Sequence, residues 1–224
     1  MQRAALPAGD LYRGLSDLQV AASRSSPALF KTVVEREHAA GRAQVVPESA
    51  LFSAAVTGSP ATLDAVLAAG AKPASARSAE VLPWLLMRGE KNALASLLAH
   101  QPDVSAAKNG PLLIAVSARR LDSVRALLNA HADTEVRDDA GRTPLMLAAA
   151  SGQADIAQEL LTQLAKTDPV DKAGRTALWY ASAAGDSDLV AALLASKSEV
   201  DAADAQGFTA VGSEEHTSEL QSPI

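Results

Sequence analysis

The stretch Asp138–Leu161, DDAGRTPLMLAAASGQADIAQELL, returns 33 residues later from Asp171 as DKAGRTALWYASAAGDSDLVAALL, and starts a third time at Asp204 as DAQGFTAV. Gly141, Gly174 and Gly207 keep the same beat. A period of this length makes each copy one small supersecondary unit, which buries its apolar face only by leaning on its neighbours.

The residues within a copy predict its local structure. Asp138-Asp139-Ala140-Gly141 has the composition of a tight turn, in which glycine supplies the positive φ. Thr143 before Pro144 suits a helix start, with a hydroxyl at the N-cap and a preset φ at the first helical position. Leu145, Ala148 and Ala149 share one face of a short first helix, Gly152 ends it, and Ile156, Leu160 and Leu161 form the apolar face of a second. Helices this short are marginal alone in water, where fewer than about 12–15 residues rarely hold.

Stepping the period backwards finds further copies. Ala54-Ala55, Leu63, Val66 and Leu67 fit it, with Gly58 at the turn between helices and Gly70 at a C-terminal cap. One step earlier lie Gly14, Leu18, Ala21-Ala22, Phe30 and Val33-Val34, read as a degenerate capping unit. Leu82, Leu85, Gly89 and Leu97-Leu98 mark a third unit, with Pro83 early in its first helix. Gly110–Asp133 is a fourth, with Arg119-Arg120 where the others carry the glycine turn. Leu67, Leu98 and Leu128 are spaced at less than the full period, which predicts blunt hairpin fingers near 73–79 and 102–109. Full-length fingers are expected near 135–142, 168–175 and 201–208.

The period, the Gly turn and Thr143-Pro144-Leu145 with Thr176-Ala177-Leu178 resemble the ankyrin repeat, strongly over 108–211 and weakly before it. The resemblance implies an all-α, ankyrin-type helical-hairpin solenoid of about six repeats plus a truncated seventh, with fingers projecting to one side. The expected layout is an N-terminal extension at 1–10 and an array over 11–211. The array divides roughly as 11–43, 44–74, 75–107, 108–137, 138–170 and 171–203, with a partial 204–211. Where the family's T-P-L-H motif carries histidine, this chain has Leu113, Met146 and Trp179, so apolar packing is expected to replace the hydrogen bonds of that side chain. Residues 212–224 break the pattern. Their SEEHTSELQS resembles the translation of a widely used sequencing adapter and is read as an artefactual tail. The array is then cut inside a repeat, and about half of the formal charge of −6 belongs to the tail's Glu214, Glu215 and Glu219.

Composition limits function. Aromatics make up 3% of the residues, so alanine and leucine must build the core, and the absence of cysteine excludes disulfides and thiolate metal sites. No window approaches the roughly 18 apolar residues of a membrane span, and no secretory signal is seen, giving a cytoplasmic expectation. Net negative charge argues against nucleic acid. No phosphate loop, H-E-x-x-H or G-x-S-x-G occurs, so neither an enzyme nor a cofactor is implied. His100 and His131 follow second helices of adjacent units and read as solvent-facing loop histidines rather than as a metal pair. Asp138-Asp139 reads as turn capping rather than as catalytic carboxylates. Trp179, Trp84 and Phe52 read as core.

What remains is a surface. The resemblance implies a scaffold binding an as yet unidentified protein through finger tips and a concave first-helix face, with Asp139, Arg142, Ser151, Lys172, Arg175, Gln206 and Phe208 at the partner-facing positions. Arg142, Lys172, Arg175 and Phe208 are expected to carry most of the contact energy. Arg119-Arg120, Arg125 and Arg137 form a basic cluster, either a solvated face or a strip for an acidic partner. The alternatives are an arm of a larger protein whose activity lies elsewhere, and a spacer without a ligand. A complete array should be monomeric. The cut form should associate through an apolar face including Leu189, Leu193 and Leu194.

Overall fold

A computed structural model describes residues 17–24, 26–40, 46, 48–57, 59–71, 81–100, 104, 110–196, 198 and 202–210. The N-terminal extension, Gly14, Gly58, most of both blunt fingers and the tail lie outside them. Among the described residues the chain is all-helical, with one isolated antiparallel bridge between Ala203 and Thr209. Its helices are α1 (Asp17–Ser23), α2 (Pro27–Ala39), α3 (Glu48–Val56), α4 (Pro60–Ala68), α5 (Val81–Arg88), α6 (Lys91–Ala99), α7 (Pro111–Ser117), α8 (Leu121–Asn129), α9 (Pro144–Ala150), α10 (Ala154–Thr162), α11 (Ala177–Ala183) and α12 (Ser187–Ala195). They form two compact units, one of residues 1–85 with 92–102 and one of 86–91 with 103–224.

Short-range chemistry sets the helix starts. Ser26 and Ser59 cap α2 and α4 by accepting from the Leu29 and Thr62 amides, and Pro27 and Pro60 follow at the first turn. Thr143 and Thr176 accept from the amides of Met146 and Trp179, at 3.3 and 3.2 Å, to start α9 and α11. Gly70, with φ of 95°, closes α4 while the Ala71 amide reaches back to the Val66 carbonyl. Gly152 ends the first helix of its pair with φ of 62°. Arg119 takes the equivalent left-handed conformation at φ 56° without the freedom of a glycine.

In the first unit α1 packs on α3 and α2 on α4, with each pair closed as a hairpin. Ala21, Ala22, Ala54 and Ala55 are fully buried along the first helices, and their small side chains allow close approach. Phe30, Leu51 and Leu63 fill the space that remains. Phe52 does not join them. It is 36% exposed and meets Trp84 edge-to-face at 6.5 Å, because Leu51, Ala54 and Ala55 already take the inward positions of a helix with one buried stripe.

In the second unit α7, α9 and α11 stack in one layer and α8, α10 and α12 in another. Their starts at 111, 144 and 177, and at 121, 154 and 187, keep the 33-residue beat of the sequence. Leu112, Leu127, Leu145, Met146 and Leu160 are fully buried between neighbours. Each such leucine contributes about 1.5–3 kcal/mol of transfer free energy, which offsets the instability of helices of seven to nine residues. Leu189 and Leu193, expected on an open apolar face, are buried in α12 as it packs on α10 and α11, whereas Leu194 is exposed.

Candidate functional site

The second unit carries three finger turns of the same construction. In each an aspartate pairs its backbone with the residue four further on: Asp138 N–H donates to the Arg142 carbonyl at 3.0 Å, Asp171 to Arg175 at 3.0 Å, and Asp204 to Phe208 at 2.8 Å. Glycine then turns the chain, with φ of 82° at Gly141 and 80° at Gly174. A side chain at Gly141 would meet the Lys172 amide nitrogen at 3.1 Å, so the neighbouring finger, as well as the turn, requires glycine there.

The aspartate side chains knit these turns. Asp138 Oδ1 accepts from the Ala140 and Arg142 amides, at 2.9 and 2.8 Å, and Oδ2 from Arg142 Nε at 2.8 Å. Asp171 repeats the set with Ala173, Arg175 and Arg175 Nε, and its Oδ2 also accepts from the Tyr180 hydroxyl at 2.7 Å. Among the described residues Asp204 keeps the two amides, of Gln206 and Phe208. Burial pushes the Asp138 carboxyl up, but the Arg142 amide and guanidinium outweigh it and leave the pKa below 3.8. At Asp171 burial is again opposed, by the Tyr180 hydroxyl and the Arg175 and Ala173 amides, with the same outcome. Burial, then the bond to Asp171, pushes the Tyr180 phenol up to about 12. Arg175 also lies over both aromatic rings, 5.1 Å from the centroid of Trp179 and 5.0 Å from that of Tyr180.

Successive pairs are tied by polar bonds as well as by packing, which corrects the expectation that apolar contact alone replaces the histidine. The Lys172 amide donates to the Ala140 carbonyl at 3.0 Å and the Ala205 amide to Ala173 at 2.8 Å, joining finger to finger. Arg137 Nη1 donates to the carbonyls of Gly141 and Val170. Glu135 accepts from the Lys166 amide at 3.0 Å. Arg119 donates to the Ser151 carbonyl, and Arg125 pairs with Glu159. The basic cluster seen in the sequence is therefore largely occupied in binding one pair to the next. At the histidine positions Leu113 and Met146 are buried, while Trp179 is half-buried against Tyr180 and its Nε1 has no acceptor among the described residues. Trp179 thus belongs to its own finger's cluster more than to the core.

Asp139, Ser151, Lys172, Gln206 and Phe208 are exposed, and Phe208 shows 40% of its surface. Arg142 and Arg175 are half-buried and held by Asp138 and Asp171. Beside the fingers run the outward positions of the first helices: half-exposed Ile114 and Leu147, buried Tyr180, and exposed Ser117 and Ala150. His100 is an exposed helix-end residue with Nδ1 3.0 Å from the Ser96 carbonyl oxygen, and His131 is exposed at φ 59°. No group of three or more metal-binding side chains and no helix long and apolar enough to cross a membrane occurs among the described residues.

A row of like turns on stacked helix pairs, with exposed side chains at the tips, defines a repeat module with an extended surface. Residues 112–204 match the ankyrin repeat family in three copies, so this stretch of the chain carries ankyrin repeats. The crystal structure of the ankyrin repeat domain of Bcl-3, described as a unique member of the IkappaB protein family, superposes with a TM-score of 0.78 at 23% identity, covering 89% of this chain and 94% of that one. That likeness establishes an ankyrin repeat fold. No curated protein sequence matches the chain.

Proposed function

We propose that the chain is a protein-interaction scaffold whose partner seats on the finger tips and first-helix face of the second unit. The division of labour within each finger supports this reading. Asp138, Arg142, Asp171 and Arg175 hold the turns, while Asp139, Lys172, Gln206 and Phe208 stay exposed at their tips on a frame fixed from below. A frame whose turns are already held lowers the ordering cost of binding, leaving only that of the exposed side chains themselves. Arg142 and Arg175 then serve the interface by shaping it, and Lys172 and Phe208 supply the direct contacts, with Asp139, Ser151 and Gln206 around them.

The test is quantitative capture of a partner from the source cells, followed by titration of that partner against Lys172→Glu/Phe208→Ala and against a variant of the opposite helix layer, Gln158→Ala. The finger variant is expected to weaken saturable binding at unchanged Tm, and the control to leave it intact. Absence of any saturable partner, or equal loss in both variants, would overturn the scaffold in favour of a spacer.

A further inference from the structure

The turns that join the two helices of each pair lie at the far end of the first helices from the fingers. In the second unit each of these turns runs on a residue of positive φ: Gly89 at 72°, Gly152 at 62° and Gly185 at 69°, but Arg119 at 56°. A Cβ at Gly152 or Gly185 would meet nothing within 4 Å, so open space surrounds the position. An arginine held in the left-handed region where its counterparts are glycine is a local strain that calls for a use.

Its neighbour Arg120 is held from the other side. A Cβ on Gly89 would lie 2.9 Å from Arg120 Cζ, 3.0 Å from Nη1 and 3.1 Å from Nε, so the guanidinium rests flat on a glycine that has no side chain to displace it. Arg119 reaches the opposite way, where Nη2 donates to the Ser151 carbonyl at 3.0 Å. Each arginine therefore leans on the turn of an adjacent pair. The two cations stand on neighbouring junctions, about 8–10 Å apart by the usual spacing of packed helices.

The surrounding charges leave these two unanswered. Arg88 is paired with Glu90, Lys91 with Asp122 and Arg125 with Glu159. Arg119 and Arg120 are exposed and form no ion pair among the described residues, and a carbonyl or a glycine backbone neutralises neither. Asp155 opposes them in part, lining with Arg119, Leu121 and Gln153 a dent of about 320 Å³ between the two turns. With Asp155 counted, this edge still keeps one positive charge in a chain of formal net charge −6. Asp186 and Asp188 belong to the next turn along.

We propose that Arg119 and Arg120 form a second interaction surface, away from the fingers, that takes an extended protein segment with two aspartates or glutamates. An extended chain rises about 3.3 Å per residue, so acidic side chains about two to four residues apart span the two junctions. Each guanidinium keeps N–H groups to grip a carboxylate, and a side chain already laid on its neighbour's backbone loses little freedom on binding. Asp155, and beyond it Asp186 and Asp188, repel a longer acidic run and confine the acidic pair to the Arg119–Arg120 end. The surface goes beyond the finger reading and stands or falls without it.

The experiment titrates the full chain at low ionic strength with a capped Gly-Glu-Ser-Ser-Glu-Gly peptide, its glutamine counterpart and inorganic phosphate, read on the arginine Nε–Hε NMR signals. The glutamate peptide is expected to shift the Arg119 and Arg120 signals saturably, and the effect should fade as salt is raised. Arg119→Gly, which restores the residue the other turns use, should weaken binding about two- to fivefold without lowering Tm, and Arg119→Gly/Arg120→Ala about tenfold or more. Asp155→Asn should tighten binding about twofold or more, a gain that misfolding cannot produce. Absence of a saturable shift, or unchanged affinity in the double variant, would overturn the surface and leave the arginines as ties between pairs. An equal response to the glutamine peptide or to inorganic phosphate would overturn it as an adventitious ion only. If binding responds instead to Lys172→Glu, the peptide sits on the fingers, and this surface falls while the scaffold reading stands.

Discussion

The three finger aspartates form an internal series in which the turn is constant and the number of donors varies, so their removal should cost graded amounts. Asp204→Ala loses two amide bonds of an Asx-type turn, comparable to a lost N-cap and worth about 1 kcal/mol. Asp138→Ala loses the same two bonds plus a partly exposed ion pair with Arg142, which adds up to about 1 kcal/mol. Asp171→Ala loses all of these and also strands the buried Tyr180 hydroxyl, a further cost of about 1–3 kcal/mol. Its side chain is 1% exposed, against 21% for Asp138, which places it at the upper end of the range. The order should be Asp171 above Asp138 above Asp204, at roughly 5, 2 and 1 kcal/mol. Urea unfolding read by Trp179 fluorescence in a Trp84→Phe background reports on the second unit. Tyr180→Phe should close most of the gap between Asp171→Ala and Asp138→Ala when combined in a double-mutant cycle. Equal costs for Asp138 and Asp171, or a coupling of Tyr180 with Asp171 near zero, would refute the argument.

Other expectations follow from the same geometry. Both finger carboxylates titrate below 3.8 in the folded chain, so their stabilisation is complete above that value and disappears as pH falls through the lower folded pKa. Acid titration of stability should show this loss, and Asp171→Asn should flatten it. At the other extreme, Tyr180 stabilises fully below its ordinary 10.0 and loses that contribution as pH rises through about 12, which ultraviolet titration of the phenol would detect. Leu164 sits at φ 61° and is 87% exposed, so Leu164→Gly should raise stability in urea by up to about 1 kcal/mol by relieving left-handed strain. Gly141→Ala should cost more than Gly152→Ala in the same assay, because both have positive φ but only Gly141 faces the next finger's backbone within 4 Å.

Much of this was legible in the sequence because it is local. Asp, Gly and Thr at fixed offsets specify a turn and a cap within a few bonds, and Gly141, Gly174, Thr143 and Thr176 occupy the conformations their chemistry demands. The period, in turn, identifies which leucines and alanines must face one another. The ties between pairs were not legible, since Arg137 to the Val170 carbonyl or Arg119 to the Ser151 carbonyl joins a side chain to a backbone group about one period away, and composition records no carbonyl's direction. The 34-residue separation of Arg125 and Glu159 was the one available hint of such bridging. Phe52 was misread for a related reason: rarity suggested burial, but a helix with a single buried stripe leaves even an aromatic outside. Asp139's freedom became visible only once Asp138 and Arg142 were seen to satisfy each other.

Excision of residues 138–170 tests the stacking claim most directly, because it removes one whole period and lets the pair starting at Pro111 meet the pair starting at Ala177 in the same register. The shortened chain should keep its helical ellipticity per residue and unfold cooperatively in urea, whereas excision of 138–160, which breaks the register, should not. If the two deletions behave alike, interchangeable helix pairs are not what holds this chain together.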